Sequence, residues 1–330
     1  MPAPRSRPRL GRLLGAAFGV TALGLVAVAC DDNDPPATAE PITPPTTPVP
    51  SPPRSLIAAT RDNRVVTVDP ATGAVLDELI TADDLVAGAW IMDHRTVLAR
   101  GIDGDVYVEV EIPYSGEPKP RIYRLPADGG APEFVTEGFA PAISPDGETL
   151  AYARGNFESE VVLRDLATDE ERVIAAAIDS PGEEFPDPVA GLRFSPDGTE
   201  LAVTWTYEGS YAGIVDVAAA SLAEERRLAA GSAGCLGQSA WLGADRLAIA
   251  VETSFPYCGA DSEEAPSVGR LAVFEHDAED AAKAIPLPTF ARSLAVDGDT
   301  FAVVTFDDVL LRIENGTATP IGAGFTQVIW

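Results

Sequence analysis

Cys30, Cys235 and Cys258 are the only cysteines of this 330-residue chain, and His94 and His276 its only histidines. Cys235 and Cys258 lie 23 residues apart. Neither belongs to a C-x-x-C, so the chemistry they offer is a structural disulfide rather than a redox couple. Closing a loop of about 23 residues stabilises a domain by roughly 3 kcal/mol in the chain-entropy picture. The two histidines stand far apart without cysteine neighbours, which argues for solvated loop residues rather than a zinc set. No G-x-S-x-G elbow occurs, and no catalytic residue is assigned. Acidic pairs at Asp83-Asp84, Asp103/Asp105, Glu183-Glu184, Glu263-Glu264 and Asp307-Asp308 are the remaining candidates. They lack EF-hand spacing and read as solvated loops, so no cofactor is expected, with a bound calcium or other hard cation as the exception.

Cys30 has a different setting. Arg5, Arg7, Arg9 and Arg12 form a basic start without acids, an apolar stretch runs from Leu13 to about Ala29, and Ala27-Val28-Ala29 precedes the cysteine. Ala27-x-Ala29 alone is a small-residue signal-peptidase site. Followed by Cys30, it resembles a lipobox, the bacterial motif whose cysteine is diacylated and becomes the new N-terminus, with Ala27 where Leu is usual. Plain secretion and an uncleaved membrane helix are the alternatives, the latter disfavoured by a run at the lower limit of about 17 residues for a span. Lipid on Cys30 would leave Cys235 and Cys258 as an even pair in a disulfide-permissive compartment. The expected division is a signal peptide at 1–29, a lipidated Cys30 with a disordered Pro/Thr-rich tether at 30–54, and a folded domain at 55–330. At about 3.1 Å per residue, the tether spans up to roughly 70 Å.

Formal net charge is −28, and loss of the four signal-peptide arginines makes the mature chain more negative by four. Nucleic acid and anionic headgroups repel such a polyanion, so neither is expected as a partner.

One unit recurs through the domain as an apolar pair, a turn and an apolar β-rich run. It reads AWIMDHRTVLAR at 89–100, AISPDGETLAYAR at 142–154, RFSPDGTELAVTW at 193–205, AWLGADRLAIAVE at 240–252 and SLAVDGDTFAVVTF at 293–306. Aligned on Trp90, Ile143, Phe194, Trp241 and Leu294, the repeats are 47 to 53 residues apart. That length accommodates a four-stranded propeller blade with variable loops. The C-terminal TQVIW supplies one further inner strand, and SLIAATRDNRVVTVDPATGAVLDELI from residue 55 supplies three more. Joined, they make a sixth blade and remove the bare edges of an open ring. The fold class is therefore all-β, a six-bladed β-propeller of four-stranded blades closed by the C-terminal strand.

Ser144-Pro145-Asp146-Gly147 and Ser195-Pro196-Asp197-Gly198, each followed by an apolar strand, resemble the TolB-type propeller repeat. Asp297-Gly298 keeps a fragment of it. The resemblance implies a six-bladed propeller and transfers no catalytic residue. Asp146 and Asp197 are expected as turn residues, with Pro presetting φ and Gly taking the left-handed position.

The loops between second and third strands should share one face with Cys235 and Cys258. They carry Tyr114, Phe157, Tyr207, Tyr211, Phe255 and Tyr257 among acids, the composition of a partner-binding surface. The chain is thus expected to be an exported, lipid-anchored monomer facing the periplasm or exterior. Its propeller would bind or scaffold an envelope protein or peptide. The alternatives are a propeller enzyme, lactonase-like or a metal-dependent hydrolase, and a small-ligand sensor.

Overall fold

A computed structural model describes residues 54–91, 95–112, 119–155, 159–176, 189–206, 210–218, 226–228, 235–243, 245–252, 269–275 and 283–330. The chain divides into two units, Met1–Ser51 and Pro52–Trp330, and all described residues fall in the second. The first blade holds β1 (Leu56–Thr60), β2 (Arg64–Val68) and β3 (Val75–Thr81), followed by the one-turn helix α1 (Ala82–Leu85). The second holds β4 (Leu98–Arg100), β5 (Val106–Ile112), β6 (Lys119–Leu125) and β7 (Glu133–Glu137). The third holds β8 (Phe139–Ile143), β9 (Thr149–Arg154), β10 (Glu160–Asp165) and β11 (Glu171–Ala176). The fourth holds β12 (Val189–Phe194), β13 (Glu200–Thr206), β14 (Ser210–Asp216) and β15 (Arg226–Leu228). The fifth holds β16 (Cys235–Trp241), β17 (Arg246–Glu252), β18 (Gly269–Glu275) and β19 (Lys283–Pro286). The sixth holds β20 (Ala291–Asp297), β21 (Thr300–Thr305), β22 (Val309–Glu314) and β23 (Thr317–Ala323). The last strand, β24 (Phe325–Ile329), returns to the first blade, whose order is β24-β1-β2-β3. The expected six four-stranded blades and the C-terminal closure are both present.

The apolar pattern follows from blades stacked face to face. A central strand touches a neighbouring blade on both sides, so it reads as a continuous apolar run rather than an alternating one. LIAAT of β1 is buried throughout, whereas VLDELIT of β3, on the outer rim, is largely exposed. Six hydrophobic clusters fill the six blade interfaces. Between the third and fourth blades, Leu163 and Ile174 pack with Leu192, Leu201 and the fully buried Trp205. Between the sixth and first, Leu56, Ala58 and Val66 meet Ala302, Val304 and Leu310. The closing interface is thus built like the others.

The Ser-Pro-Asp-Gly turns have the expected local chemistry. Ser144 Oγ donates to Asp146 Oδ1 at 2.5 Å, and Ser195 Oγ to Asp197 Oδ1 at 2.6 Å. The same carboxylate oxygens accept the Glu148 and Thr199 amides, and Gly147 and Gly198 take φ of 79° and 75°. These bonds to the charged form hold both carboxyls below the usual aspartate range.

The second blade corrects one alignment. Trp90 does not end an inner strand at the turn shared by the other blades. It makes an isolated bridge to Glu111, at the far end of β5. Ladder pairing resumes at Leu98↔Val108 and runs to Arg100↔Val106, so the turn corresponding to Ser-Pro-Asp-Gly is Gly101–Asp105. Arg100 takes the position assigned to Trp90. In the sixth blade the shift is two residues, because Val296↔Phe301 corresponds to Ile143↔Leu150 and Phe194↔Leu201. Val296 replaces Leu294 in the aligned set.

Candidate functional site

Each blade's first turn, between its first and second strands, lies at the opposite end of the second strand from the following connection. That second connection is three residues long in the first, fourth and sixth blades and longer in the second, third and fifth. In the second to fifth blades it is marked by the pairs Ile112↔Lys119, Arg154↔Glu160, Thr206↔Ser210 and Glu252↔Gly269. Tyr114, Phe157, Tyr207, Phe255, Tyr257 and Cys258 fall between these pairs and, like Cys30, lie outside the described residues. Tyr211 is placed by its backbone in β14, opposite Trp205. Cys235 opens β16 directly opposite Glu252, the residue before the segment that contains Cys258.

The same end carries a described aromatic that the sequence reading missed. Phe306 is exposed, precedes Asp307-Asp308, and lies 4.7 Å from the Arg292 guanidinium. Asp308 accepts from Arg292 at 3.2 Å and from Arg61 of the first blade at 2.7 Å. Its signal was an aromatic beside two acids at the end of an apolar strand. That is the composition already used to select the other loops.

A buried ion pair stands near this end of the second blade. Arg95 Nε donates to Glu109 Oε1 at 2.7 Å, Ala140 N donates to Glu109 Oε2 at 2.9 Å, and Arg95 covers the Phe139 ring. Burial pushes the Glu109 carboxyl up, and Arg95 with the Ala140 amide opposes that shift. The pair fixes the second blade to the third.

Inside the ring, three inner strands are joined by side chains. Gln238 Nε2 of β16 donates to Gln327 Oε1 of β24. Ser293 Oγ of β20 accepts the Val328 amide at 2.9 Å and sits 3.0 Å from Gln238 Oε1. The closing strand is therefore held from the channel as well as by its ladder with β1.

At the end where the first turns lie, all six inner strands converge on a cavity of about 260 Å³. Arg100, Ile143, Arg193, Phe194, Trp241 and Trp330 provide its larger walls, with Pro145 and Pro196 of the two Ser-Pro-Asp-Gly turns among the lining residues. Among the described residues, no Asp or Glu side chain lines it. Arg193 Nη1 donates to Leu192 O at 3.1 Å, while its shielded Nη2 has no acceptor. Burial pushes the Arg193 guanidinium pKa down to about 10, so the group stays protonated at neutral pH. Trp241 Nε1 donates to Arg193 O at 3.1 Å; Trp330 Nε1 is buried without an acceptor.

Among the described residues, no three His, Cys, Asp or Glu side chains gather closely enough to hold a metal ion. No described helix is long and apolar enough to cross a membrane.

The fold and its closure define a closed six-bladed β-propeller. Residues 81–256 match the lipoprotein LpqB beta-propeller domain, and the chain belongs to that family. A lipoprotein family is envelope-anchored, in agreement with an anchor at the membrane. The match is to the LpqB type, so the TolB-type likeness rests on the two Ser-Pro-Asp-Gly turns. No curated protein matches the chain in sequence. Among solved structures, a chain of the nidogen/laminin complex is similar with a TM-score of 0.57 at 13% identity, over 83% of this chain and 97% of that one. A chain of the mitotic checkpoint complex is similar with a TM-score of 0.50 at 15% identity, over 73% and 70%. These likenesses concern the fold alone.

Proposed function

We propose that this lipoprotein propeller is a docking module, held to the membrane through lipid on Cys30 and presenting its second connections to an envelope protein or peptide. The observation that carries the reading is the common placement of four segment roots. Ile112/Lys119, Arg154/Glu160, Thr206/Ser210 and Glu252/Gly269 stand at the same end of four consecutive blades. The segments they enclose hold Tyr114, Phe157, Tyr207, Phe255 and Tyr257, and Tyr211 is the second residue of the adjoining strand. A few anchors, enriched in Trp, Tyr and Arg, supply most of the energy in protein interfaces. Phe306 beside Asp307 and Asp308 extends that composition to the sixth blade. The Cys235↔Glu252 register supports a Cys235–Cys258 disulfide that would tie down the longest of these segments.

Two experiments test the reading. Cys30→Ser should shift the protein from the membrane fraction to the soluble exported fraction, and retention at the membrane would refute the lipid anchor. A partner captured by the native mature chain should be lost with Tyr207→Ala and Tyr257→Ala together. Undiminished capture would remove this face from the account.

A further inference from the structure

The opposite end of the ring carries an independent feature. A chain with 51 acidic and 23 basic side chains has ample carboxylate to neutralise a half-buried arginine. Yet Arg193 has no carboxylate within ion-pair distance among the described residues, and its Nη2 bonds to nothing. Arg100 lines the same cavity, donates to the Ser55 carbonyl at 2.9 Å, and is pulled below its ordinary pKa by burial and by Arg54. A shielded guanidinium without a counter-charge is costly unless something compensates it. The Trp330 indole N–H adds a second buried donor without an acceptor. A guanidinium without a carboxylate partner, walls without acids among the described residues and three aromatic rings together describe a site complementary to an anion with an apolar body.

We propose that the channel mouth binds a small apolar monocarboxylate, its charge paired with the Arg193 guanidinium and its hydrocarbon part lodged among Phe194, Trp241 and Trp330. Guanidinium donors suit a carboxylate because charge-assisted N–H···O bonds are short and strong. The cavity of about 260 Å³ falls just under the roughly 300–1,000 Å³ of drug-sized sites, which sets the occupant at fragment size. Two sources carry this chemistry: a free carboxylic acid, and the C-terminal carboxylate of a peptide ending in an apolar residue.

The test uses the mature chain in calorimetric titrations with 3-phenylpropionate, 3-phenylpropionamide, the peptide Gly-Gly-Phe with a free or amidated C-terminus, and inorganic phosphate. Each acid that binds should exceed its amide by at least about tenfold, and phosphate should bind more weakly than that acid. Binding by the free acid alone or by the peptide alone identifies the source. If neither carboxylate binds, or if amides bind as well as acids, the proposal is wrong. Arg193→Gln should lower carboxylate affinity at least about tenfold, and undiminished affinity would also overturn the proposal. The acid–amide comparison on the native protein does not depend on how that variant folds. Arg193→Gln should leave partner capture at the opposite face unchanged, so failure here and failure of the docking reading are distinguishable.

Discussion

Asp308 of the sixth blade holds Arg61 of the first at 2.7 Å while also pairing with Arg292 of its own blade. One carboxylate thus spans the seam where the ring closes. Its two partners differ in exposure, since Arg61 is largely solvated and Arg292 is mostly buried. Arg61→Ala should therefore cost less than about 1 kcal/mol. Asp308→Asn keeps the shape and tolerates the φ of 61° at that position, but it removes a carboxylate that pairs with the mostly buried Arg292 as well as with Arg61, and should cost clearly more than Arg61→Ala. Equal effects in urea denaturation would show that the seam does not depend on the buried half of the pair.

Gly73 tests the same closure by sterics. A Cβ built there would sit 2.2 Å from the Ile321 carbonyl oxygen of β23, and its φ is +69°. Gly298, with φ +58°, has nothing within 4 Å. Gly298→Ala should cost only the left-handed strain of about 1–2 kcal/mol. Gly73→Ala should cost clearly more, because backbone must move at the meeting of two blades. Matching midpoints for the two variants in thermal unfolding would contradict this account of the seam.

Cys235→Ser should remove the roughly 3 kcal/mol expected of a bridge closing about 23 residues. Mass spectrometry of the exported protein should find Cys235 and Cys258 oxidised together. Two free thiols would eliminate the bridge.

The Ser-Pro-Asp-Gly turns give a pH prediction. Asp146 and Asp197 are held below the usual value first by the Ser144 and Ser195 hydroxyls. Their stabilising bonds are fully present above the unfolded aspartate pKa of about 3.9 and disappear as pH falls through the lower folded value. Ser144→Ala and Ser195→Ala should raise the two carboxyl titrations followed by carbon NMR. Titrations unmoved by the substitutions would mean that the hydroxyls do not hold these groups.

The blade number was legible because closure is a property of pattern. TQVIW and residues 55–80 each contain part of a blade, and neither makes a complete one alone. The turns at Ser144 and Ser195 were legible because their chemistry is local. The second blade was not, since Trp90-Ile91-Met92 followed by the polar Asp93-His94-Arg95 imitates an inner strand and its turn. What separates Trp90 from Arg100 is pairing with β5, a non-local fact that composition does not carry. Arg193 was similarly hidden beside Phe194 in the RFSPDG stretch. Its burial depends on inner strands from other blades, and no window of sequence contains them.

The docking claim is tested most directly by site-specific photocrosslinking in cells. A photoreactive residue at position 257 or 157 should yield an adduct with an envelope protein, whereas one at Glu314 on the outer part of the sixth blade should not. The same adduct from all three positions, or none from 157 and 257, would contradict the assignment of that face.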